Sequence, residues 1–580
     1  MTKPADLYKR WIEDSAVDID TKNELLAIAN DEDEINERFY QNLEFGTGGL
    51  RGIIGAGTNR MNIYTVRKAT QGLAMYICKQ GEEAKKRGVS IAYDSRLYSD
   101  VFALEAAKVL AASGIKAYLF DELRPTPELS FSVRYLNCIA GIIVTASHNP
   151  AKYNGYKVYW EDGAQLPPQN ADKVLEYINS IDIFDDVHVI SKMEATSKGL
   201  LQMIGKEVDD AYLSHVIKQS INKDLVRQVG DQLKIVYTPF HGAGNKPVRR
   251  ILSMLGVSNV YVVREQEDPD PAFSTVKSPN PEDPDGFVYA VELAKKTNSP
   301  LIIGTDPDSD RVGLMVRNSD GDYVTLSGNQ VGVLLTNYIL MQKAQNHTLP
   351  KDPVVVKTIV TTELTTRVCE KYHATLYNVL TGFKFIGEVI KNLEDKGEED
   401  RYVFGFEESY GYLAGTYARD KDAVVASMLI AEMAAWYTTR NMTLYDGLQE
   451  LFEEFGYYKE LQKSITLEGI SGVHKIKEIV EYLRENTPET VDGVKITALR
   501  DYESGVRTIL ETGKTEKLDL PSSNVLYFEL ENGSNFVVRP SGTEPKIKFY
   551  FFVHDQTDAA AQKKLDGLSD CVLTMIKKLL

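Results

Sequence analysis

Ser147 stands in Thr145-Ala146-Ser147-His148-Asn149-Pro150, directly after an apolar run at residues 139–144. Such a run reads as a buried strand, and a small hydroxyl-bearing turn at a strand end is where α/β proteins place reactive groups. A serine hydroxyl is a weak nucleophile until something activates it. A second strand end follows Leu301-Ile302-Ile303: Gly304-Thr305-Asp306-Pro307-Asp308-Ser309-Asp310-Arg311, with carboxylates at alternate positions. In an extended loop Asp306, Asp308 and Asp310 would curl round one cation. Carboxylate oxygens suit Mg2+, which shares its shell with phosphate oxygens. The loop is not an EF-hand, because its sixth position is Arg311 rather than Gly and its twelfth Arg317 rather than Glu. The sharper competitor is an aspartate-nucleophile sugar phosphatase, in which Asp306 attacks and Asp308 acts as acid. A third carboxylate favours the ligand role.

Ser147 alone also reads as a turn serine or helix cap. A Ser-His-Asp hydrolase is disfavoured: no Gly-x-Ser-x-Gly elbow surrounds it, and the adjacent His148 is poorly placed to be its base. A phosphorylated Ser147 makes better sense of the pairing, since its phosphate would supply oxygen to a metal held by the aspartates. Lys157, in Tyr153-Asn154-Gly155-Tyr156-Lys157, reaches the same centre, or is a surface lysine on a strand. Arg539-Pro540-Ser541-Gly542-Thr543-Glu544-Pro545-Lys546 reads as an oxyanion cradle, with a bidentate Arg, hydroxyl donors and a Gly that admits backbone N–H groups. It lacks the Gly-Lys-Ser/Thr order of a Walker loop. Gly405-Phe406-Glu407-Glu408-Ser409-Tyr410-Gly411 offers carboxylates and a hydroxyl suited to sugar hydroxyls, or a capped helix start.

Elements must position these groups across a long chain. At 580 residues the sequence should hold about four domains of roughly 150 residues each. Its net charge of −17 argues against a nucleic-acid binder, so an anionic substrate needs a local basic pocket. Cys78, Cys138, Cys369 and Cys571 form no CxxC pair and read as buried or inert thiols in a reducing compartment. The start has no apolar signal core. The most membrane-like run, residues 423–437, is short, contains Glu432 and reads as a core helix. A soluble cytoplasmic protein with no membrane partner is expected.

Residues 1 to about 45 are acidic and look helical. Beyond them short apolar runs alternate with helix-like stretches, which implies largely parallel sheets and an α/β architecture. Boundaries near 205, 323 and 450 divide the chain into 1–205, 206–323, 324–450 and 451–580. No repeat with a clear period is visible. From about 455 onward, Val525-Leu526-Tyr527-Phe528 and residues 547–552 suggest a more open sheet with terminal helices, an α+β unit.

The four reactive segments, in this order, resemble the α-D-phosphohexomutase superfamily, most closely its phosphoglucomutases. Supporting pieces are Phe45-Gly46-Thr47-Gly48-Gly49-Leu50-Arg51-Gly52, Thr238-Pro239-Phe240-His241-Gly242, Asp270-Pro271-Ala272-Phe273 and Thr381-Gly382-Phe383-Lys384. The resemblance spans about residues 45 to 550. It implies three similar α/β domains and a smaller α+β domain round a central cleft. It implies Ser147 as phosphoserine and, with Asp306, Asp308 and Asp310, as Mg2+ ligand. Arg51 and Lys157 would flank the reacting phosphate. Arg311, Thr381, Gly382, Phe383, Lys384, Glu407 and Ser409 would meet the sugar, and Arg539, Ser541, Gly542 and Thr543 would clamp the distal phosphate. The implied reaction interconverts glucose 1-phosphate and glucose 6-phosphate through glucose 1,6-bisphosphate, in a monomer or weak dimer. Tyr410-Gly411 follows Ser409 where phosphomannomutases show Gly-His, which lowers the mannose reading and leaves Lys421, in Arg419-Asp420-Lys421-Asp422, for the base role. The length and Thr381-Gly382-Phe383-Lys384 look like the branch that includes phosphopentomutases, so ribose 1-phosphate is an alternative substrate.

Overall fold

The computed structural model describes residues 3–46, 48–467, 469–541 and 546–580. Helices Pro4–Glu13, Ile19–Ala27 and Glu32–Phe39 come first in the chain, as the apolar residues among charges predict. They bury Trp11, Leu25 and Phe39 against Tyr64.

Three mixed sheets follow. The first runs Gly49–Ile53, Tyr153–Trp160, Ala140–Val144, Val89–Tyr93, Ala117–Phe120, Leu201–Ile204 in spatial order. The second runs Tyr323–Leu326, Val312–Arg317, Leu301–Thr305, Lys234–Thr238, Asn259–Val262, and the third Thr375–Val379, Val354–Thr358, Tyr402–Glu407, Gly411–Leu413. One device recurs in all three. A fully buried strand pairs in parallel on one side, ends in a short loop, and returns antiparallel on its other side. The strands are Ala140–Val144, Leu301–Thr305 and Tyr402–Glu407. Each loop holds one non-glycine residue in the left-handed region: Ser147 at φ 52°, Ser309 at 50° and Tyr410 at 64°. The loops that carry Ser147, the three aspartates and Ser409 are thus the same loop of three similar units.

Burial explains why these loops are placed firmly. Ile142, Ile143 and Val144, like Leu301, Ile302 and Ile303, are at most 2% exposed. Each such side chain contributes about 1.5–3 kcal/mol, so the strands are fixed by the core and the loops are free to carry polar groups. The run at residues 423–437 lies within the helix Ala423–Thr439, buried along nearly its whole length. The Asp422 carboxylate caps it by accepting from Val424 N at 2.8 Å and Val425 N at 3.0 Å.

The fourth sheet is antiparallel throughout its named pairings and is backed by helices Gly469–Glu485 and Asp558–Lys577. It joins the third unit where Tyr527, Val537 and Tyr550 pack with Ile359, Val360 and Leu380. Two expected boundaries fall inside elements. Position 323 opens the strand Tyr323–Leu326, which hydrogen-bonds Val312–Arg317, so the second sheet runs on to Leu326. Position 450 lies within the helix Leu444–Phe455. Cys138 and Cys369 are buried, whereas Cys78 and Cys571 are exposed. Among the described residues no helix is long and apolar enough to cross a membrane.

Candidate active site

Ser147 Oγ donates to Asp306 Oδ2 at 2.7 Å, and both residues are buried. The left-handed turn also swings the His148 ring back, so that Nδ1 lies 3.2 Å from Ser147 Oγ. His148 is therefore within reach of the serine, contrary to the expectation from simple adjacency. Burial, then the charges of Arg311 and Arg51, hold its imidazole well below the ordinary histidine range, so it is neutral.

The acidic loop is a tight turn rather than an extended segment, and the turn brings its carboxylates together. One oxygen from each of Asp306, Asp308 and Asp310 lies within 4.8 Å of the others. Asp306 Oδ1 accepts from Asp310 N at 3.1 Å and Arg311 N at 3.0 Å. With Ser147 on Oδ2, both Asp306 oxygens are engaged, which disfavours Asp306 as an attacking nucleophile. Burial, then the Asp308 and Asp310 charges, push Asp306 well above the usual carboxylate range, and Asp310 is raised as well. Asp308 moves the other way: Lys157 and its hydrogen bonds outweigh burial and lower it. Asp308 Oδ1 and Asp310 Oδ1 are buried without a hydrogen-bond partner. Three crowded carboxylates, two of them with an orphaned oxygen, fit a divalent cation, which would relieve both the repulsion and the unmet acceptors. Among the described residues no other group of three metal-binding side chains meets in this way.

Cations surround the triad. Lys157 Nζ lies 3.1 Å from Asp308 Oδ2 and 4.0 Å from Asp310 Oδ2. Its position follows from register, with Lys157 opposite Ile143 on one side and Gly49 on the other. Arg51 lies two residues along that edge strand, opposite Gly155, and its charge is felt at His148 and Arg96. Arg311 pairs with Glu282 at 2.7 Å. Lys421 Nζ lies 3.0 Å from Asp310 Oδ2 and 3.2 Å from Asp420 Oδ1. Burial alone would lower the Lys421 ammonium, but Asp310, Asp420 and Glu407 outweigh it and raise it. Lys421 is thus held charged in this state, and an ammonium must give up a proton before it can act as a base.

The third loop adds Glu407 and Ser409, whose hydroxyl donates to Glu407 Oε1 at 3.2 Å. The alternative of a helix start there is not what forms: strands Tyr402–Glu407 and Gly411–Leu413 flank the turn. Thr381 and Gly382 precede the helix Phe383–Glu394, with Gly382 at φ 116° before its first turn. The Phe383 ring lies 5.8 Å from Lys421 Nζ, which ties this loop to the triad. Lys384 is lowered by burial. Arg539 closes the fourth sheet's contribution, opposite Lys548 across the strand pair. Ser541 N donates to Lys546 O at 2.7 Å. Gly542 and Thr543 lie outside the described residues.

Several participants gave no sequence signal. Thr126 Oγ1 donates to Asp308 Oδ2 at 2.9 Å from 182 residues away. The Tyr159 hydroxyl donates to Asp420 Oδ2, linking the first sheet to the Lys421 segment. Lys548 is lowered by burial and feels the charges of Glu408, Arg539, Glu282 and Arg311. Only the fold brings these residues together, so no spacing could have found them.

The chain is similar to known proteins over most of its length. Family descriptions reading phosphoglucomutase/phosphomannomutase, alpha/beta/alpha domains I, II and III match residues 42–183, 210–321 and 327–455. A protein named phosphoglucomutase from Staphylococcus saprophyticus is 38% identical over 521 residues, covering 90% of this chain and 92% of its own. One of the same name from Staphylococcus epidermidis is 37% identical over 539 residues, covering 92% and 95%. Among solved structures, parafusin (phosphoglucomutase) from Paramecium in an open form superposes with a TM-score of 0.67 at 19% identity, covering 93% of this chain and 95% of that one. A phosphoglucomutase/phosphomannomutase family protein from Burkholderia thailandensis gives 0.63 at 18% identity, covering 92% and 97%.

Proposed function

The chain belongs to the phosphoglucomutase/phosphomannomutase family of enzymes, and from that premise we propose that it interconverts glucose 1-phosphate and glucose 6-phosphate through a phosphoserine at Ser147. The observation that carries this reading is the 2.7 Å contact between Ser147 Oγ and an aspartate of the buried triad. It puts a hydroxyl that can hold a phosphoryl group where a divalent cation would be held.

The bond between phosphorus and Ser147 Oγ breaks as a bond forms from phosphorus to O6 of glucose 1-phosphate. The sugar hydroxyl loses one proton and Ser147 Oγ gains one, so no proton is released overall. The resulting glucose 1,6-bisphosphate turns round, its other phosphoryl group returns to Ser147, and glucose 6-phosphate departs. Lys421 is the candidate base at the sugar end once its ammonium has given up a proton, and Lys157 and Arg51 stabilise negative charge on the moving group. Mg2+ held by Asp306, Asp308, Asp310 and the Ser147 phosphate would neutralise charge on the transferring phosphoryl group. Glu407 and Ser409 present acceptors and a donor to sugar hydroxyls, with Arg311 and the Thr381 to Lys384 loop beside them. Arg539, with Ser541, Gly542 and Thr543, is the grip for the phosphate that is not reacting. Closure of the site over the bound sugar phosphate would exclude water, which otherwise takes the phosphoryl group.

The test is a mutase assay on glucose, mannose and ribose 1-phosphates, each with a catalytic amount of its bisphosphate. The account predicts the highest kcat/KM with glucose 1-phosphate. A higher value with ribose or mannose 1-phosphate would transfer the assignment to that sugar.

A further inference from the structure

Ser147 keeps a left-handed backbone, φ 52°, that residues with a side chain adopt only when held. Both of its backbone polar groups lead to one ion pair. Its N–H donates to Thr145 Oγ1 at 2.8 Å, and the Thr145 hydroxyl donates to Asp94 Oδ2 at 2.6 Å. Its carbonyl accepts from Arg96 Nη2. Arg96 Nε and Asp94 Oδ2 face each other at 3.3 Å, with both side chains fully buried. Asp94 is held in turn by Arg96 N at 2.9 Å and Ser99 Oγ at 2.8 Å.

Arg96 directs the rest of its fork at the same loop. Nη2 also donates to Asn149 O, while Nη1 donates to Pro150 O at 3.1 Å and Tyr153 O at 3.0 Å. One guanidinium therefore gathers four carbonyls of residues 147–153, a geometry that a lysine cannot reproduce. The Phe273 ring of the second unit closes over it at 5.0 Å. Both Nη atoms are spent on the loop's carbonyls, and Nε lies buried 3.3 Å from Asp94 Oδ2 without a hydrogen bond, so Arg96 faces the loop and Asp94 rather than a substrate.

We infer that the Arg96–Asp94 pair is the positioning device of the phosphoryl-carrying serine, fixing the left-handed turn that aims Ser147 Oγ at Asp306. The role rests on the phosphoserine reaction proposed above. Its effect belongs to the transfer step and not to substrate capture.

Two variants test it. Arg96→Lys keeps a charge beside Asp94 but loses the fork, and Thr145→Val keeps the ion pair whole but removes the acceptor for Ser147 N–H. Each is mixed with glucose 1,6-bisphosphate, and the mass of the Ser147 peptide is followed alongside steady-state kinetics. Misplacement of a reacting group by an ångström costs about 100-fold. Ser147 phosphorylation and kcat should fall about 100-fold in Arg96→Lys and about 10-fold in Thr145→Val. KM for glucose 1-phosphate should stay within about threefold in both, because neither change touches the substrate grip. A raised KM at unchanged kcat would make Arg96 a substrate ligand and overturn the inference. Unaltered phosphorylation in a folded variant would overturn it too. If Arg96→Lys does not fold, Thr145→Val decides alone. A parent enzyme that takes no phosphate on Ser147 would overturn the reaction itself and this role with it. A phosphorylated parent with unaffected variants would overturn this role alone.

Discussion

Ser147 Oγ and Asp306 Oδ2 are 2.7 Å apart although 159 residues separate them in the chain. The contact joins the loops of two sheets that share one strand-loop-strand device. It makes the serine hydroxyl and the acidic triad one centre.

Cation dependence follows from the crowding of that centre. Asp308→Ala should lower kcat by about 100- to 1000-fold, the scale for losing one charge-stabilising contact at a reacting group. A cation that binds only the folded chain at 100 times its Kd adds about 2.7 kcal/mol of stability. Mg2+ should therefore raise the thermal midpoint of the parent and leave that of Asp308→Ala nearly unchanged. Scanning calorimetry with and without a chelator checks both, and full activity in chelator would remove the metal from the mechanism.

Glu408 gives a pH signature independent of the cation. Burial, then the Glu407 charge, push its carboxyl up to about 7 from its ordinary value of 4.5. Its folded-state value is thus raised above its unfolded value. Between pH 4.5 and about 7 the folded chain keeps a proton that the unfolded chain has lost, so this group lowers stability as pH rises through that window. Glu408→Gln should gain on the parent by on the order of 2–3 kcal/mol from pH 5 to pH 8. Urea melts at the two pH values measure it, and a difference that does not grow with pH would contradict the assignment.

Arg539 should act in capture. Losing a hydrogen bond to a charged group costs about 1.5–3 kcal/mol, so Arg539→Ala should raise KM for glucose 1-phosphate about 10- to 100-fold. Bisphosphate should also escape during turnover, because the intermediate must be regripped after turning round. Initial rates together with 31P NMR of the supernatant report both, and unchanged values would leave the loop as a turn without a ligand.

The sequence made the reactive loops legible because each follows a continuous apolar strand, where burial leaves a recognisable run. The runs ending at Val144 and Ile303 needed no partner to be read. Contacts made by the fold were not legible. Thr126 reaches Asp308, and Tyr159 reaches Asp420 across 261 residues, with no spacing to announce either. The threefold recurrence of the loop also left no sequence period, because its left-handed position is Ser147 in one unit, Ser309 in the next and Tyr410 in the third. The backbone is repeated while the side chains serve different tasks. The sequence offered Lys421 only for the base role; the fold sets its Nζ 3.0 Å from Asp310 Oδ2, and its charge is set by Asp310, Asp420 and Glu407, only one of which is its sequence neighbour.

The most direct test follows phosphate itself. Enzyme incubated with glucose 1,6-bisphosphate labelled in its phosphates is mapped by peptide mass, then chased with unlabelled glucose 1-phosphate. The account predicts one acid-stable label, on Ser147, that leaves into the sugar phosphate pool at least as fast as turnover. An acid-labile label on Asp306, or a Ser147 label that the chase leaves in place, would contradict it.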